Sequence, residues 1–553
     1  MHAVYTLLIA GALALWPTPS AADQGSSNAW QQLDAFARQR DRDELERRQR
    51  QLLAPAPASA PQASKAPGRC EPIQGLRLHG NRLLSDAQLR LSAAPYLAPC
   101  MSPVAINQVL EAITAQYVLA GYIGARPYRL APREFGGPLQ VLVVEGEVEA
   151  VEVTDPDLPL SLGNAFGTLP GKPLHLPTLE RGLDQLNRLR VLDLTADLLP
   201  GQRTGGTRVR LSPLSHPPRA WPTVLLDNRG SASSGRNRAL LTFNLDSPAR
   251  WNDALVLGVQ RTLPAGPNFN RSYFGGYSVP HGPWQLSLNA ARYAYRSRSP
   301  AAHGAVVSQG SGTVYGAALE RQLWRDRSSL YSTTLRATHK AIETYVQGRL
   351  SGLQSPTYNS LGLQLDALWS GHGQWNAQLL YSRGLGGWRA DDGMPRQGPA
   401  SPSATFGLWR TTLGHTRSGR VLGQRWHWGS QLGAQYTRAT LPGPDQLYLP
   451  GDLSLRGFRD LPASFDRGAY WQNTLSLPRP LPMGLALVPR VGLDIAQGDG
   501  RRGQRGERLA GTALGASLSR GELAMSFDYH HPLYRRQGER PTGYWQLQLQ
   551  ARL

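Results

Sequence analysis

The chain has 553 residues, 41% of them hydrophobic, with 14 Trp and 20 Tyr; this is several domains' worth of sequence and neither a disordered nor a collagen-like chain. Two cysteines exclude a Cys-rich zinc framework or a disulfide miniprotein, and no apolar run reaches the roughly 18 residues of a transmembrane helix. The net charge is +20, 56 of the 59 basic residues are Arg, and the excess falls almost wholly after residue 220, where residues 221–553 carry 37 positive and 19 negative charges.

Residues 5–16 (YTLLIAGALALW) have the length of a signal-peptide apolar core, and Ser20-Ala21-Ala22 offers a small-residue cleavage site. Residues 1–22 are therefore expected to direct export, although the basic flank holds only His2. Residues 27–53 lack Gly and Pro and are rich in helix formers. From Arg38 to Gln51 that helix is polar almost all round, which suits solvent or a wet cavity but not a core. Residues 54–69 begin APAPASAPQASKAPG, an extended, semi-rigid Ala/Pro linker. In an exported chain, Cys70 and Cys100 can form a disulfide.

Residues 70–146 and 147–219 read as two small α/β modules. In the first, Ile73–Leu78 suggests a strand. Ser102-Pro103 supplies an N-cap and a first-turn proline, Ile106, Val109, Leu110, Ile113 and Tyr117 recur at helical spacing, and Gly121 ends the helix. Leu139–Val144 closes the module as a strand. The second has strands near Val148–Val153, Leu192–Leu198 and Thr207–Leu211, and a helix over Thr178–Leu189. Neither module carries a catalytic constellation.

Beyond Trp221 no convincing helix appears and period-two alternation recurs. Leu241, Phe243 and Leu245 alternate with polar neighbours, and so do Leu286 and Leu288. At the end of the chain Trp545, Leu547, Leu549, Ala551 and Leu553 alternate with Gln546, Gln548, Gln550 and Arg552. Many such strands in an exported chain, with Trp284, Tyr295, Trp375, Tyr381, Trp426, Trp428 and Tyr436 near strand ends, predict a transmembrane β-barrel over residues 220–553. Sixteen antiparallel strands would leave about 21 residues for each strand and its connection, comfortable for strands of roughly ten residues. The excess arginine then lines a wet lumen or meets anionic headgroups.

Several stretches together resemble the two-partner secretion transporters, the TpsB family. The first module, from Cys70-Glu71-Pro72 to Val144-Glu145-Gly146 and including Cys70 and Cys100, resembles that family's first POTRA domain. The turn Asp227-Asn228-Arg229-Gly230, followed by Gly235, resembles its first barrel hairpin. Leu455-Arg456-Gly457-Phe458, followed by Asp466-Arg467-Gly468, resembles the tip of the sixth extracellular loop of the wider BamA-type superfamily. The resemblance covers the whole mature chain and implies a polar plug helix (residues 23–53), two periplasmic POTRA domains and a 16-stranded outer-membrane barrel. It implies that Arg456 enters the lumen and pairs with an acidic residue on an inner strand, here Asp494 in Gly492-Leu493-Asp494-Ile495-Ala496. Where the family has a glycine, this chain has Ala496. It further implies a cognate large β-rich exoprotein of haemolysin, adhesin or contact-dependent toxin class as cargo, contact with outer-membrane lipid, and insertion by the barrel assembly machinery. No cofactor, metal or nucleic acid is expected.

Other functions find little support. Gly167–Pro173 (GTLPGKP) is one residue too short for a phosphate loop and has Pro where Ser or Thr should bind magnesium. Asp528, His530 and His531 are the nearest thing to an acid–base cluster, yet neighbours on a strand point to opposite faces, so no enzyme is expected. An assembly factor of the BamA type would carry more POTRA domains than the two for which residues 70–220 have room.

Overall fold

The computed structural model describes residues 70–553 except 133, 302–303, 327, 387–401, 453, 462 and 500–505. The signal peptide, polar helix and Ala/Pro linker expected over residues 1–69 lie outside the described residues.

The first module comprises β1 (Leu76–His79), α1 (Asp86–Ala93), α2 (Pro103–Leu119), β2 (Arg126–Arg129) and β3 (Leu139–Val144). The central strand β3 runs parallel to β1 and antiparallel to β2. Helix α2 starts where the Ser102 hydroxyl accepts the Ala105 N–H at 3.3 Å. Its Ile106, Val109, Ile113 and Tyr117 are buried with Leu139, Val141 and Val143 of β3, while Leu110 is only partly buried at the edge of this core. Strand β1 begins at Leu76, later than the expected Ile73, because Gly75 takes a φ of +85°, outside the extended region. Helix α1 has no long apolar stripe; its legible signal is the reciprocal cap between Ser85 and Gln88. Cys70 and Cys100 are disulfide-bonded with their Cα atoms 5.5 Å apart, beside the short ladder of Glu71–Pro72 with Cys100–Met101.

The second module repeats the plan with β4 (Glu147–Val153), α3 (Leu162–Phe166), α4 (Leu176–Leu186), β5 (Leu194–Pro200) and β6 (Gly206–Pro213), β6 being central. Helix α4 stops at Leu186 rather than Leu189 because the Asn187 side chain bonds both the N–H and the C=O of Leu194 at 2.8 Å, turning the chain into β5. The module docks on the turns at one end of the barrel. The Asn252 amide exchanges hydrogen bonds with the Ser161 backbone at 2.7 and 2.8 Å, and the Val191 N–H donates to Asp246 at 3.0 Å.

Sixteen antiparallel strands then close a barrel. The first eight are β7 (Ala220–Asp227), β8 (Asn237–Asp246), β9 (Ala254–Leu263), β10 (Phe269–His281), β11 (Trp284–Ala301), β12 (Gly304–Arg325), β13 (Ser329–Val346) and β14 (Thr357–Gly371). The rest are β15 (Gly373–Gly386), β16 (Gly407–Val421), β17 (Gln424–Thr437), β18 (Arg467–Ser476), β19 (Leu485–Asp499), β20 (Glu507–Arg520), β21 (Leu523–Arg535) and β22 (Tyr544–Arg552). Alternation assigns the faces: Leu286 and Leu288 of β11 are 41% and 46% exposed, whereas Tyr293, Tyr295, Ser297 and Ser299, of opposite parity, are buried on the inner side. Tyr295, one of the aromatics noted near strand ends, packs with Tyr293 on the inner side. The last strand follows its pattern, with Trp545, Leu547 and Leu549 outward and Gln546 buried. An outward apolar surface around a sheet without edges leaves no backbone group unpaired in hydrocarbon. Closure is uneven, however. Strand β22 pairs with β7 over five residues, Gln548–Arg552, whereas β11 and β12 pair over eighteen.

Removing the Cys70–Cys100 bridge by Cys→Ser at both positions is expected to cost about 2–5 kcal/mol in the first module. The urea concentration at which residues 70–146 become trypsin-sensitive should fall, while the barrel keeps its heat-dependent electrophoretic shift.

Candidate functional site

The connection between β17 and β18, residues 438–466, leaves from the end of the barrel opposite the two modules and turns inward. Apolar packing holds it there. Leu449, Leu455 and Phe458 are fully buried against Tyr470, Ala496 and Leu509 of the inner wall. Ala496 thus lies in the apolar floor under the loop tip.

At the tip, Arg456 reaches Asp494 on β19. The carboxylate is 0% exposed, and alternation sends it inward while Leu493 and Ile495 face out. Asp494 Oδ2 accepts from the Arg456 backbone N–H at 2.9 Å and from Nε at 2.7 Å, and Oδ1 accepts from Nη2 at 2.5 Å. Nη1 donates to Thr474 Oγ1 at 3.0 Å and Nη2 to the Asn473 carbonyl at 2.7 Å. Every nitrogen of the fork is used, in a bidentate geometry that a lysine cannot supply. Two glycines make room. A Cβ at Gly492 would lie 2.3 Å from Arg456 Cζ, and one at Gly511, directly across from Asp494, would lie 1.8 Å from the Arg456 carbonyl oxygen. Gly457 follows with a φ of +97°, letting the chain turn back beside His531.

Three further acidic residues tether the loop. Asp445 is buried where it accepts from Lys340 Nζ of β13 at 2.8 Å and from the Tyr358 hydroxyl of β14. Arg410 of β16 donates to the Asp445 carbonyl at 2.8 Å. Asp452 pairs with Arg229 at 2.9 Å and accepts from the Gln546 amide at 2.7 Å, with His530 Nδ1 at 3.8 Å. Asp460 accepts from the Ala232 N–H at 3.1 Å and pairs with Arg236 at 3.3 Å, while Arg459 donates to the Trp545 carbonyl at 3.0 Å. Residues 452–460 therefore hold the β7–β8 hairpin and strand β22 at once, straddling the short closing seam.

The first-hairpin motif lies on that seam. Asp227 is buried and paired bidentately with Arg238 at 2.8 and 2.9 Å. Asn228 extends the closing ladder with its side chain, donating to the Trp545 carbonyl at 3.1 Å and accepting the Leu547 N–H at 3.0 Å. Gly230 and Gly235 sit where the hairpin backbone crosses itself, 2.1 Å separating a Cβ at Gly230 from the Gly235 carbonyl oxygen. Below the loop, a cavity of about 1550 Å³ runs to the second module, lined by Arg188, Asp193, Asp246, Arg490, Asp528 and Gln550 among others. Asp528 is engaged by Arg490 at 2.7 and 2.5 Å, and His530 by the Tyr544 hydroxyl at 3.1 Å; His531 faces outward. No group that could hold a metal ion occurs among the described residues.

Sequence reasoning missed Asp445, Lys340, Asp452 and Gly511, and named Gly492 only as part of the stretch around Asp494. The two glycines bracket Asp494 in the structure, and their one legible trace was Gly492 two residues before it.

Comparison with known proteins bears on this arrangement. A family model described as haemolysin secretion/activation protein ShlB/FhaC/HecB matches residues 205–518, and POTRA models match residues 72–146 (ShlB-type) and 147–200. The hemolysin transporter protein ShlB of Serratia marcescens is 35% identical over 81% of this chain and 80% of its own length. HpmB, the hemolysin transporter of Proteus mirabilis, is 30% identical over 77% and 76%. The solved structure of CdiB from Escherichia coli is 25% identical and superposes with a TM-score of 0.85 over 97% of this chain and 99% of CdiB.

Gly511→Ala is expected to push the loop tip off the wall through the Arg456 backbone while leaving the Arg456 and Asp494 side chains unaltered. Cleavage at Arg456 or Arg459 by trypsin added to intact cells should then quicken at least tenfold, about 1.4 kcal/mol of opening.

Proposed function

The chain belongs to the haemolysin secretion/activation family ShlB/FhaC/HecB, and from that premise we propose how its parts divide the work of secretion. It is an outer-membrane transporter of two-partner secretion, with its POTRA domains in the periplasm. Its cargo, on this reading, is a large β-rich exoprotein of the haemolysin, adhesin or contact-dependent toxin class, in keeping with relatives named as haemolysin transporters and CdiB.

The unfolded cargo meets the two POTRA domains first. Strand β5 is an edge of its sheet and exposes Leu198, so an extended chain can add to it through main-chain hydrogen bonds. Residues 23–53, whose sequence is polar almost all round between Arg38 and Gln51, serve on this reading as a plug for the wet lumen that arriving cargo displaces. The loop carrying Arg456 is the second obstruction, and Arg456 held by Asp494 is the observation that carries this reading. Removing one partner of a dry ion pair costs about 3–5 kcal/mol, because the other charge is left buried. In a watery lumen both groups regain solvent as the loop swings away, so opening costs less than that and remains reversible. The polar vestibule lets backbone and side chains of an unfolded polypeptide pass without a dry barrier. No chemical step is assigned to any residue, and folding of the β-rich cargo outside supplies the drive. Insertion of the barrel itself is assigned to the barrel assembly machinery.

Co-expression with a candidate β-rich exoprotein of this class tests this directly. Wild type should release the exoprotein into the medium, and Arg456→Ala should cut release at least about tenfold, or more than one kcal/mol in barrier, with equal amounts of heat-modifiable barrel. Failure of Arg456→Ala to insert would assign the arginine to folding alone. Export that proceeds without this protein, together with loss of other outer-membrane barrels on its depletion, would assign an assembly role instead. Deleting residues 23–53 should raise single-channel conductance in planar bilayers; unchanged conductance would remove the plug.

A further inference from the structure

Residues 254–319 hold five arginines and not one aspartate or glutamate. All five, Arg261, Arg271, Arg292, Arg296 and Arg298, are exposed on the outward face of β9, β10 and β11. The parity is unambiguous. Gln260, Thr262, Asn270 and Ser272 are buried on the inner side, while Leu257, Leu263 and Tyr273 share the outward face with the arginines.

The register gathers them. Arg261 stands directly opposite Arg271, and Arg271 faces Ala294, which puts Arg292 and Arg296 on its two diagonals. Arg298 is the next outward residue on β11. Like charges directly opposite one another destabilise a sheet, so a bare patch of this kind carries a cost that an anion removes. The nearest acidic residue of the same parity is Glu343 of β13, which reaches the level of Ala294 only across the intervening strand β12.

Depth fixes what kind of anion. On β11 the outward residues from Trp284 upward are Leu286, Leu288 and Ala290, and then Arg292. At ~3.3 Å rise and ~40° tilt, the eight residues from Trp284 to Arg292 span roughly 20 Å of depth, against an apolar band of ~25 Å. Tyr273, opposite Arg292, and Tyr315, opposite Ala290, mark the upper aromatic girdle. Arg261, Arg271 and Arg296 therefore lie at the outer headgroup level, at the end of the barrel away from the POTRA domains. There a guanidinium fork can grip a phosphate bidentately while the aromatic and leucine side chains below it contact acyl chains.

We propose that this patch is a binding site for the phosphate groups of a phosphorylated glycolipid in the outer leaflet. Acyl chains lie against Leu286 and Leu288, and the phosphates bridge Arg261, Arg271, Arg292 and Arg296. The like-charge repulsion across β9–β11 is thereby neutralised, in the part of the wall that follows the β7–β8 hairpin beside the seam.

Native mass spectrometry of the full chain in detergent, titrated with diphosphorylated lipid A, tests the proposal. Wild type is expected to bind this lipid at least tenfold more tightly than its dephosphorylated form. The triple variant Arg271→Gln, Arg292→Gln, Arg296→Gln should lose at least tenfold, and Arg417→Gln, on the outward face near the other end of the barrel, should bind as wild type does. Changing the same three residues to Lys keeps the charge and should retain binding to within a few-fold, which separates lost charge from lost folding. Equal binding by the Gln triple variant would overturn the site. Full displacement of the lipid by millimolar inorganic phosphate would make it a free-phosphate site and overturn the lipid assignment. Unaltered lipid binding with lost exoprotein secretion would hand the surface to the cargo, against the proposal.

Discussion

A charge buried without a partner is costly, and the Asp494 side chain has no exposed surface. Much of the lumen is arranged around the one cationic side chain that hydrogen-bonds it among the described residues, Arg456, which comes from a loop 38 residues earlier in the chain. For the guanidinium to arrive, the loop must fold into the barrel, the wall must be free of side chains at Gly492 and Gly511, and Leu455 and Phe458 must find an apolar floor. Each of these is present. The pair also sets the energetic character of the resting state: strong while water is excluded from it, weaker once the loop lifts and both charges meet the wet lumen. A purely apolar plug of the same shape would lack that dependence on water, and would hold the pore shut by area alone.

The barrel wall answers a different constraint. In hydrocarbon every backbone group must be paired, which forces closure, yet this barrel closes through only five residue pairs between β7 and β22. The loop compensates. Asp452, Arg459 and Asp460 reach both sides of the seam, and the Asn228 side chain stands in for a missing rung of the ladder. The tip lock on β19 and the clamp across the seam are parts of one loop. Withdrawal of that loop in the proposed cycle therefore loosens the seam and clears the pore together.

Much of this architecture was legible in the sequence because it rests on local periodicity. The spacing of Ile106, Val109, Ile113 and Tyr117 located α2 and its buried face, and the final Trp545–Leu549 alternation placed outward and inward residues correctly. The face of Tyr295 was left open, because nearness to a strand end says nothing of parity, and parity decides the face. Asp494 came within reach only through a family resemblance, since an aspartate in an alternating strand is otherwise unremarked. The tethers at Asp445 and Asp452 were out of reach altogether: their partners Lys340 and Arg229 lie more than 100 residues away, and no local pattern encodes such a pairing. Gly492 and Gly511 look like any strand glycines until a neighbouring side chain shows what the missing Cβ makes possible.

The account stands on Arg456 and Asp494 acting as one unit, and a double-mutant cycle read out as exoprotein release tests that most directly. Release would be quantified for Arg456→Ala, Asp494→Ala and the double variant at matched levels of inserted barrel. Acting as one unit, the pair predicts a double variant no more impaired than the worse single. Losses that multiply in the double variant would mean that the two residues serve secretion separately, and the lock would have to be abandoned.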